Sequence, residues 1–423
     1  MSPISASDGT KVVAVHRGAR DSYQVACALE EAEMLQGLVT DLYWPADLEW
    51  AAALARRLPA RLRKKLLNRY TKGLPGRSVQ SCWASGALAL ACDVRGVPFL
   101  LRRSTMRFCD RQLGKRAAEI ANIRDAALLS YSYYAHSAFS NFQRARARIL
   151  FQLHPHPVSV RAILQHERKL HPECAGSLDK EWELALPESD FRTLVEESGM
   201  PDYWIAASSF TKSTLIENGG APERIRVIPY GTDLEWFKPV QLEQPVNRPL
   251  RLLFVGTVTQ RKGVKYLVEA IESLPPGTAE LTICGRLVDG ASGLRGARAH
   301  VHFRAFVSSE ALLREFQSAD VFVFPSLAEG FGHVLLEAMA CGLPVISTTH
   351  TAAVDLISDG REGFIIEPGD VAELARGIEF FLKNPAQRIQ IGLAARSRAE
   401  EFTWAKFRRN LAEALREMVN RPG

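Results

Sequence analysis

Two carboxylates and two cations, all set beside glycines, are the residues of this chain best suited to chemistry. Glu329 and Glu337 fall eight apart in the stretch Ala-Glu-Gly-Phe-Gly-His-Val-Leu-Leu-Glu. A carboxylate accepts paired hydrogen bonds, so such acids suit vicinal hydroxyls like those of a ribose or a hexose. Gly330 and Gly332 between them allow a sharp backbone turn, and a helix is predicted from about His333 to Cys341. Its start would turn free N–H groups and a positive helix end toward a phosphate or diphosphate. Arg261 and Lys262 precede Gly263 at a second strand-to-helix turn. Basic side chains at such a turn can clamp a diphosphate and stabilise charge building on a leaving phosphate. A phosphate cradle flanked by hydroxyl-binding acids is what a nucleotide-sugar site needs.

These residues need strands to hold them. Val321 to Phe324 is a short, β-rich apolar run closed by Pro325-Ser326, which reads as a buried strand. After the helix, Gly342 suits the C′ position, Pro344 blocks continuation, and Val345 to Ser347 begins another strand. Leu250 to Val255 and Leu281 to Cys284 are similar runs ending at Gly256 and Gly285, and the run from His300 to Val307 follows. Asp370 is placed to cap a helix from Val371 to Lys383. In the first half, Lys11 to Val15, Leu38 to Tyr43, Ala87 to Ala91, Ala126 to Tyr131 and Ile149 to Leu153 read as strands, with a helix from Tyr23 to Leu35. Such alternation predicts parallel, doubly wound sheets. At 423 residues the chain exceeds one typical domain. The expected division is a domain over 1–239, a proline-rich linker over 240–249, a second domain over 250–396, and a helix over 397–423 that packs back on the first domain.

The setting AEGFGHVLLEAMACGLPVI, with Arg-Lys-Gly upstream and Val-Ile-Pro-Tyr-Gly-Thr-Asp at 227–233, resembles the retaining glycosyltransferases of the large family 4 type (glycosyl transferases group 1). That resemblance implies a GT-B fold, in which two Rossmann-like domains face one another across a cleft. It implies a transferase that moves a hexose from a nucleotide diphosphate sugar, a co-substrate rather than a cofactor, to a glycan or lipid-linked acceptor. Arg261, Lys262, Glu329 and His154 would form the reacting centre, with His154 contacting the donor sugar from a strand end. Donor contacts would come from Gly256, Gly285, Arg286, Phe306, Val307, Gly330, Phe331, Gly332, His333, Val334, Leu335 and Glu337. Among these, Glu337 would hold the ribose, and backbone groups near Arg286 and Phe306-Val307 would surround the base. Arg17, Gly18 and Arg20 follow the first strand where relatives often carry a Gly-Gly pair, and arginines there suit an anionic acceptor. No Asp-x-Asp occurs in the chain, so no metal clamp is expected. A GT-B phosphorylase or epimerase, or a non-catalytic nucleotide-sugar-binding scaffold, would share the fold, but the Arg-Lys-Gly and Glu-x7-Glu pair favours a transferase. No G-x-G-x-x-G follows the first strand, which disfavours a dinucleotide-dependent dehydrogenase.

Composition narrows the setting. The net charge of +6 is concentrated: residues 51–120 hold 16 Lys/Arg against 3 Asp/Glu. Within 56–72, leucines interleave with basic residues at helical spacing, the pattern of an amphipathic helix on an anionic membrane surface. No zinc-finger, helix-turn-helix or aromatic RNP pattern accompanies the charge, so nucleic acid is not an expected partner. Seven scattered cysteines without a CxxC pair read as reduced thiols. No apolar run approaches the ~18 residues of a spanning helix, and the N-terminus lacks a secretory pattern. The expected location is cytoplasmic, peripheral at the inner membrane face.

Overall fold

The computed structural model describes residues 9–92, 97, 99–143, 146–240, 248–288, 301–305 and 307–420. Among the described residues, thirteen strands form two sheets. The first holds β1 (Val12–Val15), β2 (Leu35–Thr40), β3 (Val79–Ser81), β4 (Ala127–Tyr131), β5 (Arg148–Gln152), β6 (Tyr203–Ala206) and β7 (Ile225–Val227). The second holds β8 (Leu250–Val255), β9 (Ala279–Cys284), β10 (Val301–Arg304), β11 (Val321–Phe324), β12 (Val345–Thr348) and β13 (Gly363–Ile366). Their orders are β3-β2-β1-β4-β5-β6-β7 and β10-β9-β8-β11-β12-β13. Every strand pair is parallel. β1, β4, β8, β11 and β12 are buried along their length apart from Arg251. That burial on both faces is why they read as continuous Val/Ile/Leu/Phe runs rather than alternating ones.

Both sheets reverse direction at one point, between β1 and β4 in the first and between β8 and β11 in the second. A crevice opens at the carboxyl ends of the strands at such a switch point, and ligands bind there. The sequence placed Arg17, Gly18 and Arg20 after β1, Arg261 and Lys262 after β8 and the two glutamates after β11, with His154 after β5 and Arg286 after β9 beside them.

Three local expectations are corrected. Ala87 to Ala91 is not a strand but part of the helix Trp83–Cys92; its alanines and leucines suit a helix as well as a short apolar strand, and the third strand is the brief Val79–Ser81. The first helix is shorter than expected, Gln24–Glu31, so β2 begins at Leu35. The basic segment is not one helix. Pro59 separates Glu49–Arg56 from Ala60–Leu67, because its missing N–H and fixed φ stop the first helix and start the second. Most of the expected linker, 241–247, lies outside the described residues, as do 289–300, Phe306 and 421–423.

The closing helix Trp404–Asn420 returns to the first domain. Arg408 donates to Glu31 (2.8 Å) and Gln24 (2.7 Å), and Thr232 N–H bonds Phe402 O (3.0 Å). A Cβ at Gly231 would sit 2.3 Å from Trp404 N, so only glycine lets the two chains cross there. Phe407, Leu411 and Leu415 bury the inner stripe of this helix.

Candidate functional site

The loops after β8 and β11 meet. Lys262 closes a short 3-10 turn, Gln260–Lys262, and Glu329 lies in the loop before the helix His333–Ala340. The Lys262 ammonium contacts the Glu329 carboxylate and lies 5.2 Å from the centre of the Phe324 ring. Burial, with Arg261 adding to it and Glu181 opposing, lowers Lys262 to about 7. Gly332 has φ +82°, and a Cβ there would meet Phe324 at 3.0 Å and Glu329 at 3.4 Å. The helix therefore starts directly behind the Lys262–Glu329 pair, with its unpaired N–H groups at that end.

Arg261 points the other way. Its Nε donates to Ala328 O (2.9 Å), and its guanidinium faces Glu181 (3.3 Å) and Glu183 (3.5 Å) of the first domain. Burial works against its charge, and Glu183 and Glu181 outweigh it, holding the guanidinium above its ordinary value. Gln260 beside it donates to Glu167 (2.7 Å), which also accepts from Tyr266 Oη (2.8 Å). The turn carrying the two cations is thus gripped from the opposite domain.

That domain also reaches the acid loop. Gly330 packs so closely on the end of β5 that a Cβ would lie 1.8 Å from Leu153 O. Its carbonyl accepts from Ser208 Oγ (2.6 Å) and Thr211 Oγ1 (3.2 Å). Ser208 also caps the helix Ser209–Glu217 through Thr211 N–H, and Ser209 N–H bonds Asp355 (2.7 Å). His154, next after Leu153, is half-buried against Tyr133 with ring centroids 5.2 Å apart, and its Nδ1 has no hydrogen-bond partner. Burial, then Arg261, lowers it to about 3. It is a neutral imidazole at any ordinary pH.

A cleft of about 1110 Å³ opens between the two switch points, with Arg17, Gly18, Arg20, Tyr134, His154, Arg261 and Arg286 in its lining. Gly18 N–H donates to Asp41 (2.9 Å), which pairs with Arg69 (2.7 Å). Arg20 donates to Tyr134 Oη, and both Arg17 and Arg20 lie 5.3 Å from that ring's centre. Glu197 is buried, accepts from the N–H groups of Tyr133 and His136 (2.9 Å for His136), and is pushed by burial up to about 7.

The structure therefore brings Lys262, Glu329, Arg261 and His154 around one junction and Arg17, Gly18 and Arg20 into the same cleft. Glu337 lines a separate hollow of about 540 Å³ with Asp233, Trp236 and Ser309, and burial raises its carboxyl to about 7. His333 stacks on Tyr230 with ring centroids 4.5 Å apart. Phe331 is buried and Val334 partly so. Leu335 is in the core, which leaves its side chain no open face, and its N–H is already bonded to Gly332 O (2.9 Å). Gly256 and Gly285 serve strand packing: a Cβ at Gly285 would lie 1.8 Å from Gly256 O. Val307 packs against the core. Sequence reasoning missed Glu167, Glu181, Glu183 and Glu197. Nothing local marks them, since each partner lies dozens of residues away. Among the described residues, no group of three His, Cys, Asp or Glu could hold a metal, and no helix is long and apolar enough to cross a membrane.

Comparison with known proteins bears on this geometry. Residues 239–398 match the family model described as Glycosyl transferases group 1. The chain is similar to a D-inositol 3-phosphate glycosyltransferase of Paenarthrobacter aurescens, 34% identical over 227 residues that cover 49% of this chain and 55% of that protein. It spans about half the length of such relatives. Its fold is similar to that of sucrose-phosphate synthase from Thermosynechococcus elongatus (TM-score 0.64, 19% identity, covering 96% and 98% of the two chains). It is also similar to HepE of Anabaena in complex with UDP-glucose (TM-score 0.58, 18% identity, 96% and 99%). The two parallel sheets and these likenesses define a GT-B fold.

Proposed function

Because residues 239–398 form a glycosyl transferases group 1 domain, we propose that the protein transfers a hexose from a nucleotide diphosphate sugar to a glycan or lipid-linked acceptor, with retention at the anomeric carbon and without a metal. The observation that carries this reading is the junction at Gly330, where Lys262, Glu329 and the start of the helix His333–Ala340 face the end of β5 and His154. Lys262 and the helix start neutralise the departing diphosphate. Glu329 and the backbone of Gly330 to Gly332 hold the sugar, and Glu337 in its hollow takes the ribose hydroxyls. Arg261, its charge already matched by Glu181 and Glu183, fixes the turn that carries Lys262. His154 offers a neutral ring beside the sugar. The acceptor hydroxyl attacks from the side the diphosphate leaves, and the leaving phosphate oxygen takes its proton. The sugar passes through an oxocarbenium-like state.

The basic segment 56–72 supports work at the inner membrane face: its helix Ala60–Leu67 leaves Leu62 and Leu67 exposed among basic residues. Binding to anionic vesicles that weakens with salt is expected, and equal binding to neutral vesicles would remove this part. A radiolabelled-donor assay tests the whole reading. UDP-sugars come first, since HepE was solved with UDP-glucose. Transfer to an acceptor supports it; donor binding without any transfer would favour a scaffold.

A further inference from the structure

The transferase reading, on which this inference rests, leaves the acceptor open, and the wall of the cleft opposite the donor turn speaks to it. That wall is the helix Phe99–Arg124, where Arg103, Arg107 and Arg111 recur every fourth residue and so share one stripe. Like charges at this spacing repel. Buried Asp190 absorbs two of them, Arg103 through paired contacts and Arg107 at 2.5 Å. Three more acids are similarly used, Asp110 facing Arg17 (3.5 Å), Asp41 facing Arg69 (2.7 Å) and Glu183 facing Arg261 (3.5 Å), and the fifth, Glu197, accepts backbone N–H groups of Tyr133 and His136. Nine arginines against five carboxylates line the cleft. Arg20, Arg111 and Arg286 form no salt bridge among the described residues, although Arg20 lies close enough to Asp21 and Asp110 to act on their charge. Arg20 bonds the Tyr134 hydroxyl in the turn after β4, and the helix bearing Arg111 is tied to the helix after that turn through its backbone, Ser137 Oγ donating to Arg111 O (3.1 Å). Surplus guanidinium charge in a recess, with two planar groups already stacked on one tyrosine ring, fits an oxyanion that accepts several N–H bonds at once.

We propose that this end of the cleft is an anion subsite that takes a phosphate or diphosphate group of the acceptor, with Arg20 and Arg111, neither held in a salt bridge among the described residues, as its cations. The group is carried either by a membrane lipid or by a soluble sugar phosphate. The same helix exposes Leu101 and Phe108, which gives a lipid-borne phosphate a route to its arginines.

The test is calorimetric titration of the full chain with inorganic pyrophosphate, comparing wild type with Arg20→Gln/Arg111→Gln and with Lys262→Ala, alone and combined. Thermal unfolding of each variant checks that it folds. The subsite predicts that the double arginine substitution lowers pyrophosphate affinity at least about tenfold, both in the wild type and in the Lys262→Ala background, where the donor-turn site is itself weakened. Equal binding by wild type and the arginine variant would overturn the proposal. Two further arms identify the carrier: phosphatidylcholine vesicles with and without phosphatidic acid, and glucose 6-phosphate. Arginine-dependent binding of either supports the subsite, and binding of neither would overturn its role in acceptor recognition. Since the readout is binding rather than turnover, failure of sugar transfer leaves these results interpretable.

Discussion

The two halves of the molecule wind six strands in the same order, yet they furnish their switch points in different ways. After β8 and β11 the chemistry is local: Lys262, Glu329 and the helix start come from two short loops of one domain. After β1 and β4 it is gathered from afar. Arg17 and Arg20 meet Tyr134, Asp110 from the long helix and Asp41 from the end of β2. The first arrangement suits a ligand part common to many enzymes, a sugar on a diphosphate. The second can be rebuilt residue by residue, which suits an acceptor that differs from one protein to the next.

The largest expected effect lies where the halves touch. Gly330→Ala places a Cβ against the Leu153 carbonyl, and neither backbone can yield cheaply. A shift of about 1 Å in the reacting groups costs on the order of a hundredfold, so kcat/KM should fall by at least that much. Unchanged kinetics would mean that the site does not span both halves. Lys262→Ala should lower kcat by roughly 10²–10³, the scale of one lost transition-state donor, and Lys262→Arg should restore part of it.

A subtler pair of effects separates positioning from chemistry. Glu183 is nearly inaccessible, accepts from Tyr133 Oη (2.6 Å) and faces Arg261. Glu183→Gln should destabilise the fold by ~1–3 kcal/mol, read as a lower Tm, and should weaken donor and acceptor use together. A change confined to one substrate would show that the two switch points work independently.

The smallest effect concerns pH. Burial raises the Glu337 carboxyl from 4.5 to about 7. The unfolded chain gives up that proton near pH 4.5 while the folded chain keeps it to near pH 7. Glu337 therefore costs stability increasingly between those values and fully above them. Glu337→Gln should raise Tm by roughly 2–4 °C at pH 8 and leave it unchanged near pH 4. In the wild type, donor affinity should drop as pH falls below about 7, and the Gln variant should lose that dependence. His154, already neutral, should add no step between pH 5 and 9.

The same contrast explains what could be read from the chain alone. The second domain was legible because its signals are contiguous: a buried strand, glycines at fixed offsets, then a capped helix. Asp370 capping Val371–Lys383 and the helix starting at His333 are of this kind. The basic segment misled because leucine spacing was read through Pro59, and Ala87 to Ala91 because short apolar runs serve helix and strand alike. The Glu181–Glu183 clasp on Arg261 carries no sequence mark, since a salt bridge across 80 residues follows from domain docking. The arginine stripe at 103, 107 and 111 was visible as excess charge, but only the fold turns it toward a cleft.

The most direct test is an equilibrium titration of wild type and Lys262→Ala with UDP-, GDP- and dTDP-sugars, read as thermal stabilisation. One nucleotide sugar should stabilise the wild type by about 2.7 kcal/mol at a hundred times its Kd, and Lys262→Ala should lose most of that shift. No stabilisation by any of them, or an equal shift in the variant, would contradict a nucleotide-sugar site at the second switch point.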